Sequence, residues 1–126
     1  MGFFIFLFVC NMLVPLIMLI VGISFSNHPP GTINGIYGYR TTRSMKSQEA
    51  WIFANTYFGV VWKKTGAVMC VLTAVPSGLS WWLGEKGQVV VSGVLVTLQC
   101  VVLILSIIPV EKALKENFDK SGKKIN

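Results

Sequence analysis

Apolar residues gather into three long stretches, and almost everything polar lies between or after them. Residues 3–25 carry no charge; at about 1.5 Å per residue they would span about 34 Å as a helix, enough for a hydrocarbon core of roughly 30 Å. Residues 65–83 and 89–110 repeat the pattern, again uncharged, with helical lengths of about 28 Å and 33 Å. Each stretch predicts a membrane span. A secretory signal peptide does not fit the first, which is too long and lacks both a basic leader and a small-x-small cleavage site.

Polar and helix-breaking residues inside these stretches predict how they pack. Pro15 removes a backbone donor and should bend the first helix. Asn11, one turn earlier, and Gln99, near the centre of the third stretch, would be costly against lipid, so both are expected on faces packed against other helices. Pro76 and Gly78 interrupt the second stretch, and Ala74 with Gly78 forms a small-xxx-small pair suited to a close neighbour. Trp81 and Trp82 belong at an interface.

Between the first two stretches, residues 26–36 read as loop, because Pro29, Pro30 and Gly31 cannot continue a helix and Asn34 with Gly35 favours a turn. A helix is expected from Ser47, whose hydroxyl can cap free amides while Glu49 suits the helix dipole. Trp51, Ala54, Asn55, Phe58, Val61 and Trp62 then recur at helical spacing. With Lys63 and Lys64 at its end, this segment predicts an amphipathic helix lying among headgroups, or equally a cytoplasmic extension of the next span. Residues 84–88 form a short hairpin turn, and the tail should continue the third helix briefly before fraying. The expected fold is an all-α membrane protein in one domain, residues 1–126: three transmembrane helices at 3–25, 65–83 and 89–110, a cytoplasmic segment 26–64 holding the interfacial helix, and a cytoplasmic tail 111–126.

Composition agrees with this picture. Of 126 residues, 53% are hydrophobic and 13% charged, with a mean hydropathy of +0.65, whereas soluble domains carry about a quarter charged residues. The net charge of +6 does not suggest nucleic acid, because the basic residues flank apolar runs instead of forming a groove-reading patch. Five Lys and Arg lie between the first two spans, five in the tail and only Lys86 in the hairpin turn. The positive-inside tendency then puts the N-terminus outside and the C-terminus in the cytoplasm of a multi-pass protein.

Chemistry narrows the function. Cys10, Cys70 and Cys100 lie within apolar runs and read as packing residues, while His28 has no partner nearby, so neither a disulfide framework nor a metal site is expected. No span contains Asp, Glu, His, Lys or Arg, which weighs against proton-coupled transport and against an activated serine at Ser77 or Ser80. No phosphate-cradling glycine loop is present. Neither catalytic residues nor a cofactor are expected.

The remaining candidate is the stretch 37–55. Arg40, Arg43 and Lys46 recur every third position beside Tyr37, Tyr39 and Trp51, and an arginine fork suits phosphate or carboxylate. One reading is a recognition site; the other is topology charges resting on anionic lipid, in which Lys63 and Lys64 would share headgroup contacts with Arg43 and Lys46. What Arg40 faces distinguishes binding from bracing: lipid, a cavity, or an internal carboxylate such as Glu49 or Glu111.

Gly38, Tyr39, Arg40 and Thr41, followed by Ser44, then Trp51, Ala54, Asn55 and Gly59, resemble the signature of the SdpI family of bacterial membrane proteins, G-x-R-T-x-x-S with a downstream W and AN. Longer relatives carry extra spans ahead of this region, so the resemblance implies a short, three-span form in a bacterial cell membrane. It also implies immunity or signalling: the best-known member protects a toxin-producing cell from its own secreted killing peptide and sequesters a transcriptional repressor. The expectation is a non-enzymatic toxin-immunity protein. Arg40 would anchor the cytoplasmic segment through ionic hydrogen bonds, Thr41, Ser44 and Asn55 would fix its fold, and Trp51 would seat it in the interface. Expected partners are membrane lipids, a toxin peptide or a regulatory protein, and further copies of the chain. Alternatives are a phospholipid-handling protein using Arg40, Arg43 and Lys46, and a small oligomeric transporter lined by Asn11, Gln99 and the Ala74/Gly78 face.

Overall fold

The computed structural model describes residues 1–125, which are all-helical and contain no β-strand; Asn126, at the end of the expected tail, lies outside the described residues. Helix α1 (Gly2–Asn27) is followed by a loop, α2 (Gln48–Leu79), a 3₁₀ turn (Ser80–Leu83), α3 (Gly84–Leu105) and α4 (Ile107–Asn117). Two helical runs, Gly2–Asn27 and Gln48–Asn117, are long and apolar enough to cross a membrane. The second folds back at the 3₁₀ turn.

Helices α1 and α2 are antiparallel and nearly touch. A methyl group at Gly66 would lie 2.6 Å from the Leu19 nitrogen, one at Gly59 would lie 2.7 Å from the Phe25 carbonyl carbon, and one at Gly22 would lie 2.6 Å from Lys63 Cα. Only glycine permits such backbone approach, which is how helices associate where no hydrophobic force drives them together. The Ala74/Gly78 pair does not make this seam: Gly78 is exposed, and a Cβ there would meet nothing within 4 Å.

Polar groups stitch α3 to the pair. The Asn11 amide donates to Ser77 Oγ at 3.1 Å and to Ser92 Oγ at 2.9 Å, while Gln99 Nε2 donates to the Asn11 carbonyl at 2.9 Å and to Thr73 Oγ1 at 3.2 Å. The Asn11 carbonyl is available because its ordinary helical donor would be the nitrogen of residue 15, which is proline. Gln99 fills the vacancy that Pro15 creates. All three cysteines are free, with Cys10 and Cys100 on the outer surface of the bundle.

The second storey of the molecule is an apolar cap. Tyr39 from the loop, Ala50, Ala54 and Phe58 from α2, and Val110, Leu114 and Phe118 from α4 and its end form one buried cluster. Burying a side chain of Leu or Phe size contributes about 1.5–3 kcal/mol, so α4 is held on α2 by its Val110, Leu114 and Phe118 stripe.

Four boundaries differ from the sequence reading. Residues 47–64 do not form a separate interfacial helix: α2 runs unbroken through Lys63, Lys64 and Thr65, as the other reading, an extension of the following apolar segment, has it. Its aromatic face turns inward: Trp51, Ala54 and Asn55 have 0% exposure. The hairpin turn falls at Ser80–Leu83, ahead of the expected 84–88, so α3 begins five residues earlier than residue 89. Helix α3 stops at Leu105, because Pro109 can neither donate to nor clear that carbonyl, and a turn at Ser106 separates it from α4. Beyond α4 the tail does not fray but folds back as a hook, with Phe118 bridged to Lys124.

Candidate functional site

The stretch 37–55 is a knot of hydrogen bonds built largely from residues of the sequence signature. Gly38 has φ = 111°, where side chains are rarely tolerated, and a Cβ there would lie 2.9 Å from both Asn55 Oδ1 and the Trp51 ring. That turn delivers the Tyr39 N–H to Asn55 Oδ1 at 2.7 Å. Asn55 in turn donates to the Trp51 carbonyl at 2.9 Å, and the Trp51 indole N–H donates to the Pro30 carbonyl at 2.7 Å. Each buried polar group thereby has a partner, avoiding the roughly 1–3 kcal/mol cost of an unsatisfied one.

Thr41 and Ser44 close a small ring. The Thr41 N–H donates to Ser44 Oγ at 2.8 Å, the Ser44 N–H donates to Thr41 Oγ1 at 3.2 Å, and the Ser44 hydroxyl donates to the Tyr39 carbonyl at 2.8 Å. Ser47 then caps α2, accepting from the Ala50 N–H at 3.0 Å and donating to the Gly122 carbonyl of the hook at 2.6 Å.

The electrostatic centre of the knot is Glu111, on the second turn of α4. Its Oε2 accepts from the Tyr39 phenol at 2.6 Å and from the Thr41 hydroxyl at 3.0 Å. Burial pushes the Tyr39 phenol well above its ordinary value, and the adjacent Glu111 carboxylate, as both acceptor and negative charge, pushes it further in the same direction. At neutral pH the phenol is a fixed donor.

Arg40 does not make the anchoring contact expected of it. It is exposed, and Glu111, one of the two carboxylates named as alternatives for it, accepts from its neighbours Tyr39 and Thr41. Trp51 is likewise not an interfacial anchor but the floor of the knot, with 0% exposure. Of the signature residues Gly38, Arg40, Thr41, Ser44, Trp51 and Asn55, five build the brace and Arg40 stands outside it.

The four lysines and arginines expected to share headgroup contacts separate into two levels. Arg43 and Lys46 line an open cleft of about 470 Å³ with Thr41, Thr42, Glu111 and Lys120. Lys63 and Lys64 lie on α2, 15 and 16 residues past Gln48, or about 22–24 Å of helical rise away from its start. Asn11 and Gln99 sit deep in the bundle, apart from the knot. Among the described residues no group of three His, Cys, Asp or Glu could hold a metal ion.

The tail hook and its Lys120 have no counterpart in the sequence reading. The available signals were Asp119 followed by Ser121 and Gly122, a turn-forming set, and Phe118, the one aromatic residue of the tail.

The sequence model of the SdpI/YfhL protein family matches residues 32–110, which takes in most of the loop, the knot residues from Gly38 to Asn55 and both helices of the hairpin, and stops short of Glu111 and the hook. A protein of Bacillus subtilis (strain 168), the uncharacterized protein YfhL, is 32% identical over 112 residues, covering 85% of this chain and 92% of its own length. No solved structure matches the chain.

Proposed function

Because the chain belongs to the SdpI/YfhL protein family, we propose that it is a non-enzymatic integral membrane protein of the toxin-immunity type, which binds a toxic peptide or shields that peptide's membrane target. It crosses the bilayer three times, through α1, the second half of α2 and α3. The cap of loop, α4 and hook faces the cytoplasm and the 3₁₀ turn faces outward, as the distribution of Lys and Arg favours. The absence of Asp, Glu, His, Lys and Arg from residues 3–25, 65–83 and 89–110 supports a role in binding over transport or hydrolysis.

The observation that carries this reading is the division within the signature. Five residues are spent on holding a loop rigid, and the sixth, Arg40, is presented outward on that frame with its fork free of the knot. A brace of this kind preorganises a recognition side chain, so less conformational freedom is lost on binding.

The test is survival of a toxin-sensitive Gram-positive host expressing the chain and challenged with the secreted killing peptide of a producing strain. Wild type should raise survival. Arg40→Ala should abolish protection at unchanged membrane abundance and unchanged thermal stability, whereas Asn55→Ala should lower protection and stability together. Absence of protection by wild type overturns the immunity reading, and full protection by Arg40→Ala overturns the role given to Arg40.

A further inference from the structure

The loop and the tail meet at a place that neither the signature nor the family match explains. The hook is a rigid turn. Asp119 Oδ1 accepts from the Ser121 N–H at 2.9 Å, the Ser121 hydroxyl at 2.7 Å and the Lys123 N–H at 2.9 Å, while the Asp119 N–H donates to the Lys123 carbonyl at 2.8 Å. Gly122, at φ = 88°, is buried so closely against the loop that a Cβ there would lie 2.7 Å from Lys46 Cβ. The Ser47–Gly122 hydrogen bond latches the hook to the start of α2. Lys120 is thereby carried to the cleft that Arg43 and Lys46 line.

We propose that this cleft is a phosphate-binding site assembled from the loop (Thr42, Arg43, Lys46) and the hook (Lys120), the phosphate being carried either by a lipid headgroup or by a soluble phosphoester. Three cations face one carboxylate there, a net charge of +2, which complements the −1.5 to −2 that a phosphate monoester carries near neutral pH (about, for a second pKa near 6). Glu111 takes one charge off that sum, but its Oε2 accepts from the hydroxyls of Tyr39 and Thr41, not from the cations. Arg43 supplies a planar fork, the two lysines supply point charges and Thr42 supplies a hydroxyl, the donor set that suits a tetrahedral oxyanion. On α4 the cleft is lined by Glu111, five residues past the turn at Ser106, so it stands beyond the apolar segments and is reachable from headgroups and from water. Because two of its walls belong to segments more than 70 residues apart, occupancy and latching of the tail are one event. The site does not depend on the immunity reading, since Arg40 takes no part in it.

The experiment uses the full chain in phosphatidylcholine nanodiscs, with and without added phosphatidic acid, read by native mass spectrometry for retained lipid. In parallel, inorganic phosphate is titrated calorimetrically into the discs lacking phosphatidic acid. Wild type should retain phosphatidic acid, or bind inorganic phosphate, or both, which assigns the source as lipid, soluble phosphate, or either. The Arg43→Gln/Lys46→Gln/Lys120→Gln variant should lose binding by at least about tenfold. The Lys112→Gln/Lys115→Gln/Lys123→Gln variant, with the same loss of charge at the same end of the molecule, should keep it. Equal losses in the two variants, or no binding of either probe by wild type, overturn the site. Gly122→Val keeps all three cations but forces the hook off Lys46, so it should weaken binding and speed amide exchange at Gly122 and Ile125. Faster exchange with unchanged binding overturns the role of the tail.

Discussion

At Gly38 the backbone takes a conformation that a side chain strains, and the space a side chain would need is already occupied by Asn55 and Trp51. Gly38→Ala should therefore lower stability by about 1–3 kcal/mol, measured by reversible unfolding in detergent with tryptophan fluorescence as the probe. Tyr39 predicts the alkaline behaviour of the cap. Its folded value is raised above the ordinary 10.0, so the neutral phenol's contribution is fully present below pH 10 and is lost as pH rises above it through the folded value. Tyr39→Phe should remove that alkaline loss of stability while leaving the tyrosinate absorbance gained up to about pH 11 unchanged. The special residue types of the knot were legible in the sequence, because glycine, small hydroxyls and Asn beside an arginine are unusual between two spans. Their partners were not. Glu111 lies 70 and 72 positions from the residues it holds, and nothing in local spacing shows that Tyr39 and Thr41 engage it while Arg40 does not.

Among the helices, prolines decide more than hydropathy does. Pro15 leaves the Asn11 carbonyl without a helical donor and Gln99 supplies one, so the two positions should be energetically coupled. Gln99→Leu is expected to cost about 1–2 kcal/mol, and less in a Pro15→Ala background, where residue 15 regains its N–H; a double-mutant cycle by steric trapping or detergent unfolding measures the difference. Equal costs in both backgrounds would show the two sites to be independent. The apolar runs made the helices legible, and Ser47 marked the start of α2 through its side-chain cap. The ends were harder to read. Lys63 and Lys64 suggested a boundary because charges usually flank spans, yet a 32-residue helix of about 48 Å exceeds the bilayer core and can carry charge along its protruding half. The close contacts at Gly59 and Gly66 give these glycines a packing role, so neither breaks the helix.

The whole molecule is a bundle joined by close glycine contacts and polar side chains, beneath a cap with an apolar core and a hydrogen-bonded knot. The cap was hardest to anticipate because its core draws Tyr39, Ala54, Val110 and Phe118 from segments that hydropathy assigned to loop, interface, span and tail. The hook should respond to acid. Hydrogen bonds from Ser121, then from the Lys123 backbone, hold the Asp119 carboxyl below its ordinary 3.8, so its contribution to the latch is present above pH 3.8 and is lost as pH falls through the lowered value. Amide exchange at Ser121 and Lys123, corrected for intrinsic pH dependence, should accelerate over that window, and Asp119→Asn should flatten the change. The stitches also bear on biosynthesis. The partners of the Asn11 amide, Ser77 and Ser92, lie 66 and 81 residues further along the chain. Under the proposed three-span topology the Asn11 amide therefore lacks a side-chain partner until α2 and α3 are made, a physical reason for α1 to settle in lipid together with them and not ahead of them.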